Sequence, residues 1–274
     1  MSTGFFSNVK NVIKKYGVFY AIGLIIAFAL KLYYSRANID DLDWILAPTT
    51  RWVQLLCGIS FEKESGIGYV NHNYKFVIAP VCAGINFMII AFTTLIFSFV
   101  HHMKTIKCRI IWMISSLVII YPYTILVNSL RIIPSIYLLQ MDFYGGWLTP
   151  ERVHTMEGTL VYFAALLFLY SVADKIAKRF SVGFSPESSK EEYYMKPAYY
   201  KTIKWFLPVF FYFSITLGIP FLNGAYRNDT TKFLEYALLV SGVCFSVIAV
   251  FCLSLILAGY FRRKIAKVGF NKTQ

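Results

Sequence analysis

The chain alternates long apolar runs with short polar segments, and this alternation limits its fold more than any other feature. The runs cover residues 16–30, 81–100, 108–130, 150–173, 202–222 and 233–260. A bilayer core takes about 20 apolar residues per crossing helix, and within lipid only a helix or a closed barrel satisfies its own backbone. Six runs of this kind predict an all-α polytopic membrane protein, a bundle of about six transmembrane helices. Residues 1–274 would form a single integral membrane domain. The composition agrees, since 57% of the residues are hydrophobic and 18% aromatic, and soluble domains do not segregate such residues into runs.

The polar segments fix the expected topology. With the N-terminus in the cytoplasm and six crossings, 18 of the 27 Lys and Arg residues fall on the inner side and 9 on the outer side. That bias predicts cytoplasmic N- and C-termini. The net charge of +13 is therefore a topological signal and implies no nucleic-acid partner. Residues 35–80 become an outer interfacial segment. In it, Asp40, Asp41 and Asp43 precede Trp44-Ile45-Leu46, and Trp52-Val53-Gln54-Leu55-Leu56 follows. This pattern suits an amphipathic helix lying in the interface, and residues 66–78 read as an extended or hairpin stretch. Pro122 is expected to kink a third helix that ends at Leu130, and Gly145-Gly146 marks a turn. Thr149-Pro150-Glu151 starts the fourth helix, and residues 174–201, with a Ser/Glu-rich middle at 181–192, read as a loop.

Five cysteines without a CxxC imply no disulfide framework. The sequence has no cluster with metal-ligand spacing and no nucleotide-binding glycine loop, so neither metal nor cofactor is expected. One cysteine nevertheless stands apart. Pro80-Val81-Cys82-Ala83-Gly84-Ile85 lies where the chain enters its second membrane helix. Pro suits the first turn of a helix, which would place the Cys82 thiol near a positive helix N-terminus that favours thiolate. Gly84 would let another group approach the sulfur.

Crossing inward takes about 20 residues, and returning takes about 20 more. Arg131, 49 residues after Cys82, therefore returns to the same depth, and His154 opens the next helix at that level. A lone cysteine usually packs as a small apolar residue, and a lone Arg at a helix end usually snorkels to headgroups. Together, however, the three match a nucleophile, a base and a charge stabiliser. Asn128 shares a helix face with Arg131 and is expected to orient the guanidinium or donate to an oxyanion. Glu157, one turn after His154, is expected to orient the imidazole.

Cys82-Ala83-Gly84-Ile85, Asn128-Ser129-Leu130-Arg131-Ile132 and His154 at a helix start resemble the three signatures of the exosortase/archaeosortase family, over roughly residues 65–175. Ala83 departs from the Ser often found after the family's cysteine. Residues 176–274 carry no matching motif and read as an additional loop and two helices. The resemblance implies a multi-pass enzyme of a prokaryotic cell (inner) membrane, a cysteine protease or transpeptidase. Cys82 would be the nucleophile, His154 the acid/base and Arg131 the essential cation. The implied partner is a membrane-anchored protein substrate bearing a C-terminal sorting signal, cleaved beside membrane lipid at the outer face. A small transporter and a membrane enzyme acting on lipid-linked substrates are the alternatives. A transporter would be expected to carry more ionisable residues near midplane, and a lipid-linked-substrate enzyme would not need Cys82.

Overall fold

The computed structural model describes residues 2–141, 144–182 and 198–270. Most of the Ser/Glu-rich stretch expected to be a loop lies outside them. The chain forms α1 (Ser2–Arg36), α2 (Asp43–Cys57), three short strands β1 (Glu62–Glu64), β2 (Gly68–Asn71) and β3 (Phe76–Ile78), then α3 (Ile85–Phe99) and α4 (Ile106–Leu138). After these come α5 (Pro150–Val182), α6 (Ala198–Phe213) and α7 (Thr230–Phe270). Six of the helical segments are long and apolar enough to cross a membrane. The protein is an all-α polytopic membrane protein carrying one small sheet.

α3 is the centre of the bundle. It is apolar on every face, and such a helix belongs inside other helices; 89% of its membrane-crossing stretch is buried. It packs against α1, α4, α5 and α6. Phe87, Phe92 and Phe99 are its largest fully buried side chains. α4 is longer than expected: it runs through Pro122 and Pro134 to Leu138 instead of ending at Leu130. A membrane helix tolerates proline where neighbouring groups resatisfy the freed carbonyls.

Between α1 and α3 lies a compact outer segment. α2 buries Ile45, Leu46, Thr49, Thr50 and Val53 and leaves Trp44, Trp52, Leu55 and Leu56 exposed, as an interfacial helix would. It is fixed to α4 by the Tyr121 hydroxyl, which donates to the Trp44 carbonyl at 2.7 Å. The strands form an antiparallel sheet in the order β1-β2-β3, with Val70 opposite Glu62 on one side and Val77 on the other. The Tyr69 hydroxyl donates to Asp43 at 2.6 Å, joining the sheet to α2. Lys63 pairs with Asp40 and Asp43 at 3.1 and 3.3 Å. The Tyr69 bond holds the Asp43 carboxyl below its usual range. Burial, with help from Asp43, pushes the Tyr69 phenol up to about 12.

Two ends of the bundle can be told apart by their contacts. At one, the Arg109 guanidinium donates to the carbonyls of Met103, Lys15 and Lys104. At the other, Lys31 donates to the Asn86 side chain at 2.8 Å, and the candidate site lies at this end.

Candidate active site

Cys82 does not sit in the first turn of α3. Pro80–Ala83 forms a separate 3₁₀ turn, with the Cys82 amide donating to the Ala79 carbonyl at 2.8 Å. Gly84 then takes the left-handed conformation, φ 72°, and α3 begins at Ile85. Gly84 is thus the hinge between turn and helix, which is why proline and helix start are separated. A Cβ there would lie 3.2 Å from both Asn128 Cγ and Thr124 Cγ2. The close approach that Gly84 permits is therefore made by α4 to the backbone, not by another group to the sulfur.

α4 meets this turn with a polar stripe. Thr124, Asn128, Arg131 and Ser135 are all buried, on positions that share one helix face. The Asn128 amide nitrogen donates to the Cys82 carbonyl, and its oxygen accepts from the Tyr162 hydroxyl at 2.8 Å. No described hydrogen bond joins Asn128 to Arg131, so its contacts serve the cysteine turn. The Tyr162 ring stacks on Phe87 at 5.0 Å and lies under the Arg131 guanidinium at 5.4 Å.

Arg131 is 7% exposed. Its Nη2 lies 2.6 Å from His154 Nε2. Arginine has only donors, so Nε2 is the acceptor, the imidazole is neutral, and its proton is on Nδ1. That proton points to Ser135 Oγ at 3.3 Å, and Ser135 donates to Glu157 Oε2 at 2.8 Å. Glu157 thus reaches His154 through a serine and not directly. Arg131 Nε is buried without a hydrogen-bond partner.

His154, Gly158 and Tyr162 recur every four residues, so α5 turns one stripe towards Arg131. Gly158 is needed there because a Cβ would stand 2.9 Å from Arg131 Nε. These groups border a cavity of about 350 Å³ whose wall includes Lys31, Val81, Asn86, Arg131, His154 and Tyr162. No carboxylate is among its lining residues. Cys82, 6% exposed, is not among the lining residues, although its chain neighbour Val81 is. Among the described residues no group of His, Cys, Asp and Glu could hold a metal ion. His72 is elsewhere, paired with Glu64 on the sheet.

The structure therefore joins Arg131 and His154 directly and ties the Cys82 turn to the helix of Arg131 through Asn128. Ser135, Gly158, Tyr162 and Lys31 belong to the same neighbourhood but were not singled out from sequence. The spacing of Ser135 four residues from Arg131, and of Gly158 and Tyr162 four and eight residues from His154, was the available signal: a polar stripe on a membrane helix marks a face turned to protein or cavity.

No curated protein and no solved structure matches the chain. The family described as transmembrane exosortase matches over residues 15–171, 157 of the 274 residues. That match takes in α1 to α4 and α5 as far as residue 171, with every side chain of the Cys82–Arg131–His154 group. The chain belongs to the transmembrane exosortase family, and with it to the membrane-embedded transpeptidases and proteases.

Proposed function

We propose that this protein cleaves the C-terminal sorting signal of an exported, membrane-anchored protein at the outer face of a prokaryotic cell membrane, through a thioester on Cys82. One observation carries the reading. A buried guanidinium bonded to a neutral imidazole borders a cavity lined by no carboxylate, and its helix holds the Cys82 turn through Asn128.

The chemistry follows from those contacts. The substrate carbonyl oxygen enters the cavity and draws Arg131 away from His154 Nε2. Nε2, now free, takes the Cys82 thiol proton, and the sulfur adds to the carbonyl carbon. Negative charge develops on the oxygen, where Arg131 donates to it; Lys31 adds positive charge in the same cavity, and no carboxylate lines it to oppose that charge. The intermediate collapses with cleavage of the C–N bond, and His154 returns its proton to the leaving amine. The acyl group remains on sulfur until water or an amine attacks, with His154 again accepting a proton. Ser135 and Glu157 keep the imidazole proton on Nδ1 throughout. Asn128, held by Tyr162, fixes the Cys82 carbonyl and so the turn that presents the thiol.

The test is made in the native cell. Cys82→Ala should leave the protein in the membrane and cause one or more surface-protein precursors to accumulate with their C-terminal segment intact. Cys82→Ser should behave nearly the same, because a hydroxyl is a far poorer nucleophile without strong base assistance. A His154 variant should accumulate the uncleaved precursor too, because acylation needs Nε2 to take the thiol proton and to return it to the leaving amine. Full processing by Cys82→Ala overturns the cysteine mechanism and returns the site to a lipid-linked substrate bound by Arg131 and His154.

A further inference from the structure

The family match ends at residue 171, yet the cavity bordered by Arg131 and His154 does not end there. Its remaining wall is built by Tyr212, Ile215, Thr216 and Pro220 of the fifth crossing segment and by Tyr236 of α7. None of these carries a charge, whereas the matched part of the wall holds Lys31, Arg131 and His154. The fifth crossing segment also departs from α-helix where it meets the cavity. Residues Ser214–Gly218 form a π-helical turn, and this turn packs against α3. A π turn inserts an extra residue and resets which side chains face a neighbour; such turns recur at functional sites. Ile215 and Thr216 lie within the turn. Tyr212, one turn earlier, is 3% exposed and its ring meets Phe163 of α5 edge-on at 5.0 Å, which anchors the wall to the helix that carries His154.

We infer that the π turn, together with Tyr236, selects the substrate: it receives a neutral, mainly apolar side chain of the peptide next to the bond being cut, while residues 15–171 supply the chemistry. This rests on the reading of Cys82 as the nucleophile and assigns a role to the two helices that carry no motif. A cavity of about 350 Å³ is at the small end of ligand pockets, so it holds a short extended stretch of peptide. Within it, Ile215 is the neutral group whose size can be changed without touching a polar partner. Selection by such a wall is worth about 10- to 200-fold per methylene of misfit.

The experiment uses a precursor that accumulates in Cys82→Ala cells. Its cleaved bond is mapped, and the flanking residue is replaced in turn by Gly, Ala, Leu and Phe. Each form is expressed with wild-type enzyme, Ile215→Ala and Ile215→Trp. Cys82 alkylation by iodoacetamide, read by mass spectrometry, checks that the nucleophile remains reactive. Ile215→Trp should lower processing of the large-residue forms at least 10-fold relative to Gly and Ala. Ile215→Ala should shift preference the other way, with alkylation unchanged in each. If the tryptophan variant is lost from the membrane, Ile215→Ala alone decides. The same order of preference in all enzymes, with Cys82 still required, overturns this inference alone. Normal processing without Cys82 removes the reading of the site and this inference with it.

Discussion

Arg131 is the residue on which the site turns, because it bonds His154 across the helix interface and borders the cavity. If it served only as a snorkelling cation, Lys would replace it, since stem and charge are kept. The geometry asks for more. One guanidinium arm donates to His154 at 2.6 Å, its face covers Tyr162, and Nε packs against Gly158. An ammonium on a flexible stem cannot reproduce that fork. Arg131→Lys should therefore insert normally yet process substrate about 10²–10³-fold more slowly, the usual cost of a lost oxyanion donor. Arg152→Lys is the control. Arg152 pairs with Glu235 and donates to the Trp147 carbonyl, and Lys retains its charge. Precursor processing and membrane abundance, measured side by side, decide it; equal near-wild-type activity would return Arg131 to a structural role. Arg131 was legible in the sequence because a count of residues across the bilayer returned it to the depth of Cys82. Tyr162 was not, being one of 20 tyrosines, and only its stacking on Phe87 and its bond to Asn128 distinguish it. Ser135 was hidden likewise, since a serine one turn from an arginine gains meaning only when the histidine and glutamate of another helix close around it.

Elements position these residues, and two of them give tests of their own. α5 comes close to α4 because Gly158 has no side chain. Gly158→Ala would place a Cβ 2.9 Å from Arg131 Nε, and the flexible guanidinium would yield before the helices do. Displacing a catalytic group by about 1 Å costs on the order of 10²-fold. The variant should thus lose processing by about that factor while its abundance and thermal stability in the membrane stay near wild type; an equal fall in stability would mean the helices had separated instead. The outer sheet tests the second element contact. Asp43 is held below its usual range chiefly by the Tyr69 hydroxyl, so its contribution is present above the ordinary carboxylate value, about 3.9, and is lost as pH falls through its lower folded value. Tyr69, pushed up to about 12, contributes below the ordinary phenol value of about 10 and is lost as pH rises through 12. Tyr69→Phe should therefore move acid opening of the sheet to higher pH, seen as pepsin cleavage within residues 62–78 at a less acidic pH than in wild type. Asp43 is 41% exposed on its side chain, so the effect at neutral pH should stay below about 1 kcal/mol. An unchanged acid profile would show that the bond carries no stability. The helix and hairpin of this segment were readable from amphipathic and alternating patterns. The break between Pro80 and Ile85 was not, because a proline start predicts a helix equally well whether or not a left-handed glycine interrupts it.

At the scale of the whole molecule, the bundle has two faces and the site belongs to one of them. α4 rises about 33 Å from Ile106 to Asn128 at 1.5 Å per residue, close to the thickness of a bilayer core. Arg109 at its start is fixed to Lys15 of α1, whereas Lys31 of the same helix is fixed to Asn86 beside Cys82. The His101–Arg109 loop and the Cys82–Arg131–His154 group therefore lie on opposite sides of the membrane. Which side is outside was legible only as a bias, 18 basic residues against 9, because helix packing is indifferent to the direction in which the bundle is inserted. The bias predicts that the site faces outward, where the proposed substrate, an exported protein anchored by its last helix, would present its signal. His72→Cys on the sheet and Gly145→Cys beyond α4 should accordingly react with a membrane-impermeant maleimide in intact cells. Lys104→Cys should react only after permeabilisation. Mapping the label by mass spectrometry separates these positions from Cys57 and Cys252, which carry their own thiols. Label on residue 104 with none on 72 or 145 would invert the bundle, turn Cys82 towards the cytoplasm, and leave cleavage of an exported substrate without a site that could reach it.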